Sequence, residues 1–449
     1  MTHYFRLEMM QQTGTSGKRA DQSRKMQTIV EKILSRASGQ AELVAGDYLS
    51  CAVDLAMVHD SSGPRRLGPK LAELERQLFD PDRLAIITDH FVPAEDAASR
   101  EIQKITADFA AAEGIRHFYP EQGICHVVLP QKGLVRPGML IVGGDSHSTT
   151  AGAFGCYAFG IGATDMTGVA ATGKIWLKVP QTRLVTLTGQ LADQVFAKDI
   201  ILALCGAHGM DMADYQALEY AGPGVAQLSM QERMTLTNMA AELGAQAGLI
   251  APDAVTADWL AQHAPNRQLV DQQPDSWWAS AAGSHTGPSF DLDLDDLAPQ
   301  AAAPHSPANA GPITEHDSPA FTIAYIGACT GAKLADLRAA AKILQGRKLA
   351  SRVRLLVAPA SLQDQQAAEE EGLMQIFEEA GARFLATACG MCAGYGAERL
   401  GPEDVCISST ARNFKGRMGD PASQVWLASP ASVAAAAVAG RLADPREMT

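Results

Sequence analysis

No run of about 18 apolar residues occurs anywhere in this 449-residue chain, so no membrane-spanning helix is predicted. The first residues, Met1 to Lys25, lack an apolar stretch leading to small residues. That excludes a secretory signal, and the segment reads as a polar, flexible extension before Met26. Basic charge is in deficit: 37 Lys and Arg stand against 50 Asp and Glu, a net charge of −13. This balance argues against nucleic acid or an acidic membrane as the main partner. A few local arginines can still receive an anionic substrate. No repeat with a period of about 20–50 residues is present, which excludes a solenoid or propeller. Cysteine is sparse, with eight residues scattered along the chain. That is reduced, cytoplasmic usage and not a disulfide framework.

What is present reads as several globular domains. Hydrophobic residues make up 47% and charged residues 19%, ordinary for a soluble protein whose length exceeds one core. A short amphipathic helix is expected from Met26 to about Leu34. Leu84–Thr88 reads as a buried strand that ends in Asp89-His90, followed by a helix from Glu95 to about Glu113. Met139–Val142 reads as a second buried strand, ending in Gly143-Gly144-Asp145-Ser146-His147. Both deliver polar residues at strand C-termini, where open α/β sheets place ligands. Alternating strands and helices predict an α/β fold with mainly parallel sheets. Residues 197–260 read as more helical, with Ile200–Leu204 and a long segment from Ser229 to Gly248. Residues 262–320 read as a linker, with Gln272-Gln273-Pro274 and an acidic run from Asp291 to Asp296. A last α/β unit begins at Phe321–Ile326. The expected divisions are an extension (1–25), a first domain (26–190), a second with the linker (191–317) and a third (318–449).

Chemistry concentrates in short glycine-flanked turns. Cys329 sits in Gly327-Ala328-Cys329-Thr330-Gly331, and Cys389 and Cys392 form a C-x-x-C. Three thiolates can hold three irons of a 4Fe-4S cube and leave the fourth open as a Lewis acid. A zinc site, a redox pair at Cys389/Cys392 and ordinary buried cysteines are the alternatives; spacing alone leaves iron–sulfur and zinc about even. Gly144 to Gly155 places Asp145 and Ser146 beside His147; a carboxylate can raise the basicity of an imidazole, but a capped glycine-rich turn explains the segment equally well. Asp89-His90 and His59-Asp60 repeat the pairing at other turns. Arg412 and Arg417 flank a loop that can clamp carboxylates, or be a solvated basic turn. Glu219 precedes Tyr220 and Gly222-Pro223-Gly224, and a surface glutamate is the bland reading.

Taken in order, these motifs resemble the aconitase superfamily, and within it the large subunits of 3-isopropylmalate dehydratase and archaeal-type homoaconitase. The blocks are Val58-His59-Asp60, Thr88 to Pro93, Gly144 to His147, Glu219-Tyr220, Thr237-Asn238-Met239, Ile326 to Leu337, Cys389 to Cys392 and Arg412 to Arg417, spanning about residues 26–449. The resemblance implies three α/β/α domains around a 4Fe-4S cluster held by Cys329, Cys389 and Cys392, with one iron lacking a cysteine. It implies a hydro-lyase that moves a hydroxyl between adjacent carbons of a di- or tricarboxylate. His59, Asp89/His90, Asp145/His147, Ser146 and Glu219 would be catalytic, Arg412 and Arg417 would bind carboxylates, and Asn238, Thr330 and Asn413 would support the centre. The swivel domain of single-chain relatives is absent here, so a small swivel-domain subunit is the expected partner.

The pattern is not matched throughout. Ala328 and Gly331 replace a Ser and an Asn around the first cysteine, Ala388 and Met391 alter the C-x-x-C, and Ala411 replaces an Asn. Such losses remove hydrogen bonds that support a cluster. The resemblance makes 3-isopropylmalate the first substrate, ahead of homocitrate, citramalate and dimethylmalate. A non-catalytic or RNA-binding iron–sulfur protein and a zinc enzyme are the alternatives of other classes.

Overall fold

The computed structural model describes residues 27–264, 278–396 and 398–448. The expected extension at 1–25 and the Gln272-Gln273-Pro274 segment lie outside them. The first sheet follows an outlying strand, β1 (Tyr48–Ala52). It contains β2 (Leu55–His59), β3 (Leu84–Thr88), β4 (His117–Pro120), β5 (Leu140–Gly143) and β6 (Tyr157–Gly160), in the order β4-β3-β2-β5-β6. All its pairings are parallel. Every residue of β2 and β3 is buried, as in a sheet covered on both faces. Ala85 and Ile87 enter one core and Leu84 and Ile86 the other, the two-residue alternation of a strand. β7 (Lys174–Lys178) returns antiparallel to β1.

A second, all-parallel sheet holds β8 (Thr182–Thr188), β9 (Ala217–Ala221), β10 (Ala247–Ile250) and β11 (Phe290–Asp293), ordered β10-β9-β8-β11. The third holds β12 (Gln300–Ala302), β13 (Ala310–Pro312), β14 (Ile323–Ile326), β15 (Arg354–Val357), β16 (Arg383–Phe384), β17 (Val405–Ser408) and β18 (Gln424–Ala428). Its order is β13-β12-β18-β17-β14-β15-β16, with β12 and β13 antiparallel at one edge. One apolar core joins the first sheet (Ala85, Ile87, Ile141) to the third (Ala324, Ile326, Leu355). The α/β class with mainly parallel sheets is as expected, and no described helix is long and apolar enough to cross a membrane.

Local differences have local causes. The first helix runs Ile29–Ser38, because Thr28 and Glu31 form a reciprocal cap that fixes its start. The helix expected from Glu95 begins at Ala97, after the Asp96 cap. The segment Ser229–Gly248 is not one helix. It is a helix over Met230–Asn238, a tight turn over Met239–Leu243, left-handed Gly244 and then β10. The described part of 262–320 is not merely a linker either. Phe290 and Leu292 are half-buried while Asp291 and Asp293 face water, so the acidic run is an edge strand with a period of two.

Candidate functional site

Parallel strands present their C-terminal ends along one edge, and this fold turns two such edges toward each other. From the first sheet come His59 at the end of β2, Asp89 and His90 after β3, and Asp145 to His147 after β5. From the third come Cys329 after β14, Cys389 and Cys392 after β16, and Arg412 after β17. The Cys389 N–H donates to the Asp89 carbonyl at 2.8 Å, which places the C-x-x-C against the Asp89-His90 turn. The helix Met230–Asn238 supplies Asn238, whose Nδ2 donates to Cys329 Sγ at 3.1 Å.

Three carboxylate–imidazole pairs line this junction. His90 Nδ1 lies 2.6 Å from Asp89 Oδ1, and Asp89 Oδ2 accepts the Cys125 N–H at 2.8 Å. His126 Nε2 lies 2.9 Å from Asp145 Oδ1. His147 Nε2 lies 3.2 Å from Glu242 Oε1, which also accepts from Arg412 Nε. Asp145 touches His147 through the His147 backbone N–H, at 2.7 Å. His147 Nδ1 also lies 3.6 Å from Asp145 Oδ1, so the expected Asp145/His147 pair is present and each member has a closer partner besides. Asp60 does not serve His59 either. Its carboxylate accepts the His90 and Phe91 N–H groups at 3.0 and 2.8 Å and so shapes the turn that carries His90.

Electrostatics divide the histidines. His59 and His90 stack, with centroids 3.9 Å apart and planes 6° from parallel. Burial and the neighbouring His90 charge bring His59 down to about 3. Burial opposes charge on His90 too, but Asp89, with Asp60 and Asp145 behind it, lifts it to about 9. Burial pushes Glu242 up, and the nearby Arg412 and His147 more than reverse this. Burial, with Cys392 nearby, pushes the Cys329 thiol up to about 12. The Cys389 hydrogen bond, with Arg417 beside it, holds Cys392 below the usual thiol range. Two fully buried lysines add positive charge. Lys198 Nζ donates to Thr330 Oγ1 at 3.3 Å and to the Ser409 carbonyl at 2.6 Å; Lys333 Nζ donates to the Cys329 carbonyl at 3.0 Å.

Of the residues expected from sequence, His59, Asp89, His90, Asp145, His147, Asn238, Thr330, Arg412, Arg417 and the three cysteines converge here. Ser146 is exposed at the start of the turn Ser146–Phe154. Glu219 does not join them: on β9 it accepts from Ser280, with His285 Nε2 at 3.0 Å. Tyr220 beside it packs in the core that holds Met239 and Leu243, so strand alternation turns Glu219 to the opposite face. The carboxylate that does reach the site is Glu242. Asn413 is also elsewhere in effect, since its Nδ2 donates to the carbonyls of Ala303 and Val425 at 2.9 and 3.1 Å. Sequence reasoning missed His126, Glu242, Lys198 and Lys333, and it paired Asp60 with His59 and not with the His90 turn. One signal was available for Glu242: a lone carboxylate inside the apolar run Met239-Ala240-Ala241-Glu242-Leu243 needs a partner.

The donor set fits a cluster better than one ion. The compact groups of His, Cys, Asp and Glu among the described residues are His59–Asp60–Asp89–His90 and His126–Asp145–His147. The cysteines form no such group, whereas tetrahedral zinc would hold its thiolates about 3.8 Å apart. His59 Nε2, Asn238 Oδ1 and Glu242 Oε2 are buried without hydrogen-bond partners, so polar atoms remain at this junction for a guest.

The family model described as "Aconitase family (aconitate hydratase)" matches residues 31–322 and 317–440. The chain belongs to the aconitase family. It is 42% identical over 422 residues to the 3-isopropylmalate dehydratase large subunit 1 of Methanopyrus kandleri, covering 93% of this chain and 99% of that one. It is 40% identical to the 3-isopropylmalate dehydratase large subunit of Aquifex aeolicus, over 94% of this chain and 97% of that one. A probable methanogen homoaconitase large subunit of Methanothermobacter thermautotrophicus is 38% identical, over 93% and 97%. Membership in the aconitase family makes this an aconitase-type dehydratase and implies a 4Fe-4S cluster.

Proposed function

We propose that this chain is the large subunit of a two-subunit hydro-lyase that isomerises a hydroxy dicarboxylate by dehydration and rehydration. 3-Isopropylmalate, in leucine biosynthesis, is the favoured substrate, and homocitrate is second because one close relative carries the homoaconitase name. The observation that carries the reading is the convergence of three cysteines, three carboxylate–imidazole pairs and two arginines at one junction of strand ends. Cys329, Cys389 and Cys392 would hold the cluster, which supplies, when bound, a Lewis-acidic iron that makes hydroxide a better leaving group.

The chain's own residues do the rest. Glu242 anchors Arg412 through Nε, which leaves the terminal nitrogens for a substrate carboxylate. Arg417, beside Cys392, supplies a second cation against the charge that grows when a proton leaves the carbon next to a carboxylate. His90, held cationic by Asp89, is placed to give a proton to the departing oxygen. His126 and His147, each tied to a carboxylate, move protons on the other side of the site. The swivel-domain partner is proposed because the relatives that this chain matches over nearly their full length are named large subunits. The test is anaerobic reconstitution with a candidate small subunit and a panel of 2- and 3-substituted malates. Turnover that requires both chains is expected. Full turnover by this chain alone, or none with any malate, would overturn the reading.

A further inference from the structure

Three cations are among the largest fully buried side chains: Lys198, Arg233 and Lys333. Two of them are matched by a carboxylate. Arg233 Nη1 lies 2.6 Å from Asp253 Oδ1, and Lys333 Nζ lies 2.7 Å from Asp336 Oδ2. Lys198 has no such match among the described residues. Its acceptors are the Thr330 hydroxyl and the Ser409 and Thr410 carbonyls, all neutral oxygens. Asp199, next to it in the helix Ala197–His208, accepts instead from the Phe196 and Gln300 N–H groups.

The bonds show that Lys198 carries its charge. Thr330 Oγ1 donates its own proton to the Ser409 carbonyl at 3.0 Å, so toward Lys198 it can only accept. Three acceptors need three N–H donors, which an ammonium has and a neutral amine lacks. A buried ammonium without a counter-ion is strongly destabilising, so an anion belongs nearby. Burial brings Lys198 down to about 8, and Asp336, Cys329 and Cys392 oppose that fall. Asp336 is already paired with Lys333, which leaves the thiolates. We propose that Lys198 is the buried counter-ion of the three-cysteine centre, a positioning residue that sets the charge the centre can hold. This rests on the reading that Cys329, Cys389 and Cys392 hold a 4Fe-4S cluster. With all three N–H groups engaged, Lys198 acts through its field and through two loops. Thr330 belongs to the Cys329 turn, and Ser409 and Thr410 lead to Arg412. A cation fixed there favours an added electron on the cluster, since net charge around a cluster tunes its potential.

Dithionite titration of the anaerobically reconstituted full-length chain, followed by EPR, tests this. Lys198→Met removes the charge and Lys198→Arg keeps it. Lys198→Met should shift the one-electron reduction equilibrium toward the oxidised cluster by about tenfold or more, a midpoint lower by about 59 mV, while Lys198→Arg stays within about threefold of the unmodified chain. Lys198→Gln, neutral but still a donor, takes the place of Lys198→Met if a thermal melt shows that variant unfolded. A folded neutral variant that holds no cluster, where Lys198→Arg holds it, supports the same role. An unchanged midpoint in a folded neutral variant, or Lys198→Arg shifted as far as Lys198→Met, would overturn the proposal and leave the cluster reading standing. An unmodified chain that assembles no 4Fe-4S cluster would overturn both.

Discussion

The Cys389 backbone N–H donates to the Asp89 carbonyl oxygen at 2.8 Å. Each residue follows a strand of a different sheet, so one bond sets the C-x-x-C turn against the turn that carries His90. Main chain holds main chain here, and no side-chain rotation can alter the spacing. A displacement of about 1 Å at such a junction is enough to cost a reaction orders of magnitude.

Glu242, and not Glu219, should matter for turnover. Glu242→Gln weakens the support of both His147 and Arg412 and should lower kcat about 100-fold or more in the reconstituted complex. Glu219→Gln disturbs the Ser280 and His285 contacts and the attraction to Lys32, all away from the junction, and should cost about 1 kcal/mol of stability with kcat kept. Steady-state kinetics of the two variants side by side, with thermal melts, separates the roles.

The stacked histidines should titrate far apart. His59, brought down to about 3, stays neutral through pH 5–8, while His90, lifted to about 9, stays charged there. Histidine-selective ¹⁵N NMR across that range checks this. Two ordinary midpoints near 6.5 would contradict the assignment.

Asp199 gives stability an unusual pH slope. Burial raises its carboxyl from 3.8 to about 7, despite N–H donors from Gln300 and Phe196. Between those values the folded chain holds a proton that the unfolded chain has released. The resulting stabilisation, a few kcal/mol in scale, is full below pH 3.8 and lost as pH rises through 7. Asp199→Asn should flatten that slope in urea unfolding curves measured from pH 4 to 8.

Cysteine replacement separates cluster from zinc. Cys389→Ser in the anaerobically reconstituted chain should lose most iron and sulfide together, with the visible absorption they share. Elemental analysis showing zinc in place of iron in the unmodified chain would exclude the cluster.

Much of this was readable from residue order alone. The apolar run Leu84–Thr88 is a strand with those limits, since uninterrupted β-type residues flanked by polar ones leave little choice. The ends of such strands pointed to Asp89, His90 and Asp145. Pairings across the chain were not readable. His126 meets Asp145 and His147 meets Glu242 only because separate elements converge, and adjacency in sequence suggested only Asp145 with His147. Glu219 and Glu242 are both buried carboxylates on short apolar segments. Only the facing of β9 tells which one is turned away.

Gly331, one of the departures from the pattern expected of the family, has a neighbour that explains it. A Cβ there would fall 2.2 Å from Ser409 Oγ and 2.6 Å from the Ser409 carbonyl oxygen. That hydroxyl accepts the Gly327 N–H at 3.0 Å and lies 3.2 Å from the Gly331 carbonyl to which it donates, so it steadies the Cys329 loop from across the sheet. Gly331→Asn should therefore destabilise by about 1–3 kcal/mol. Adding Ser409→Gly should recover part of the loss, the carbonyl contact remaining, as paired thermal melts would show. The two positions are epistatic. An Asn side chain at 331 and a serine at 409 cannot both occupy this space, so the Cys329 loop admits one or the other and not both.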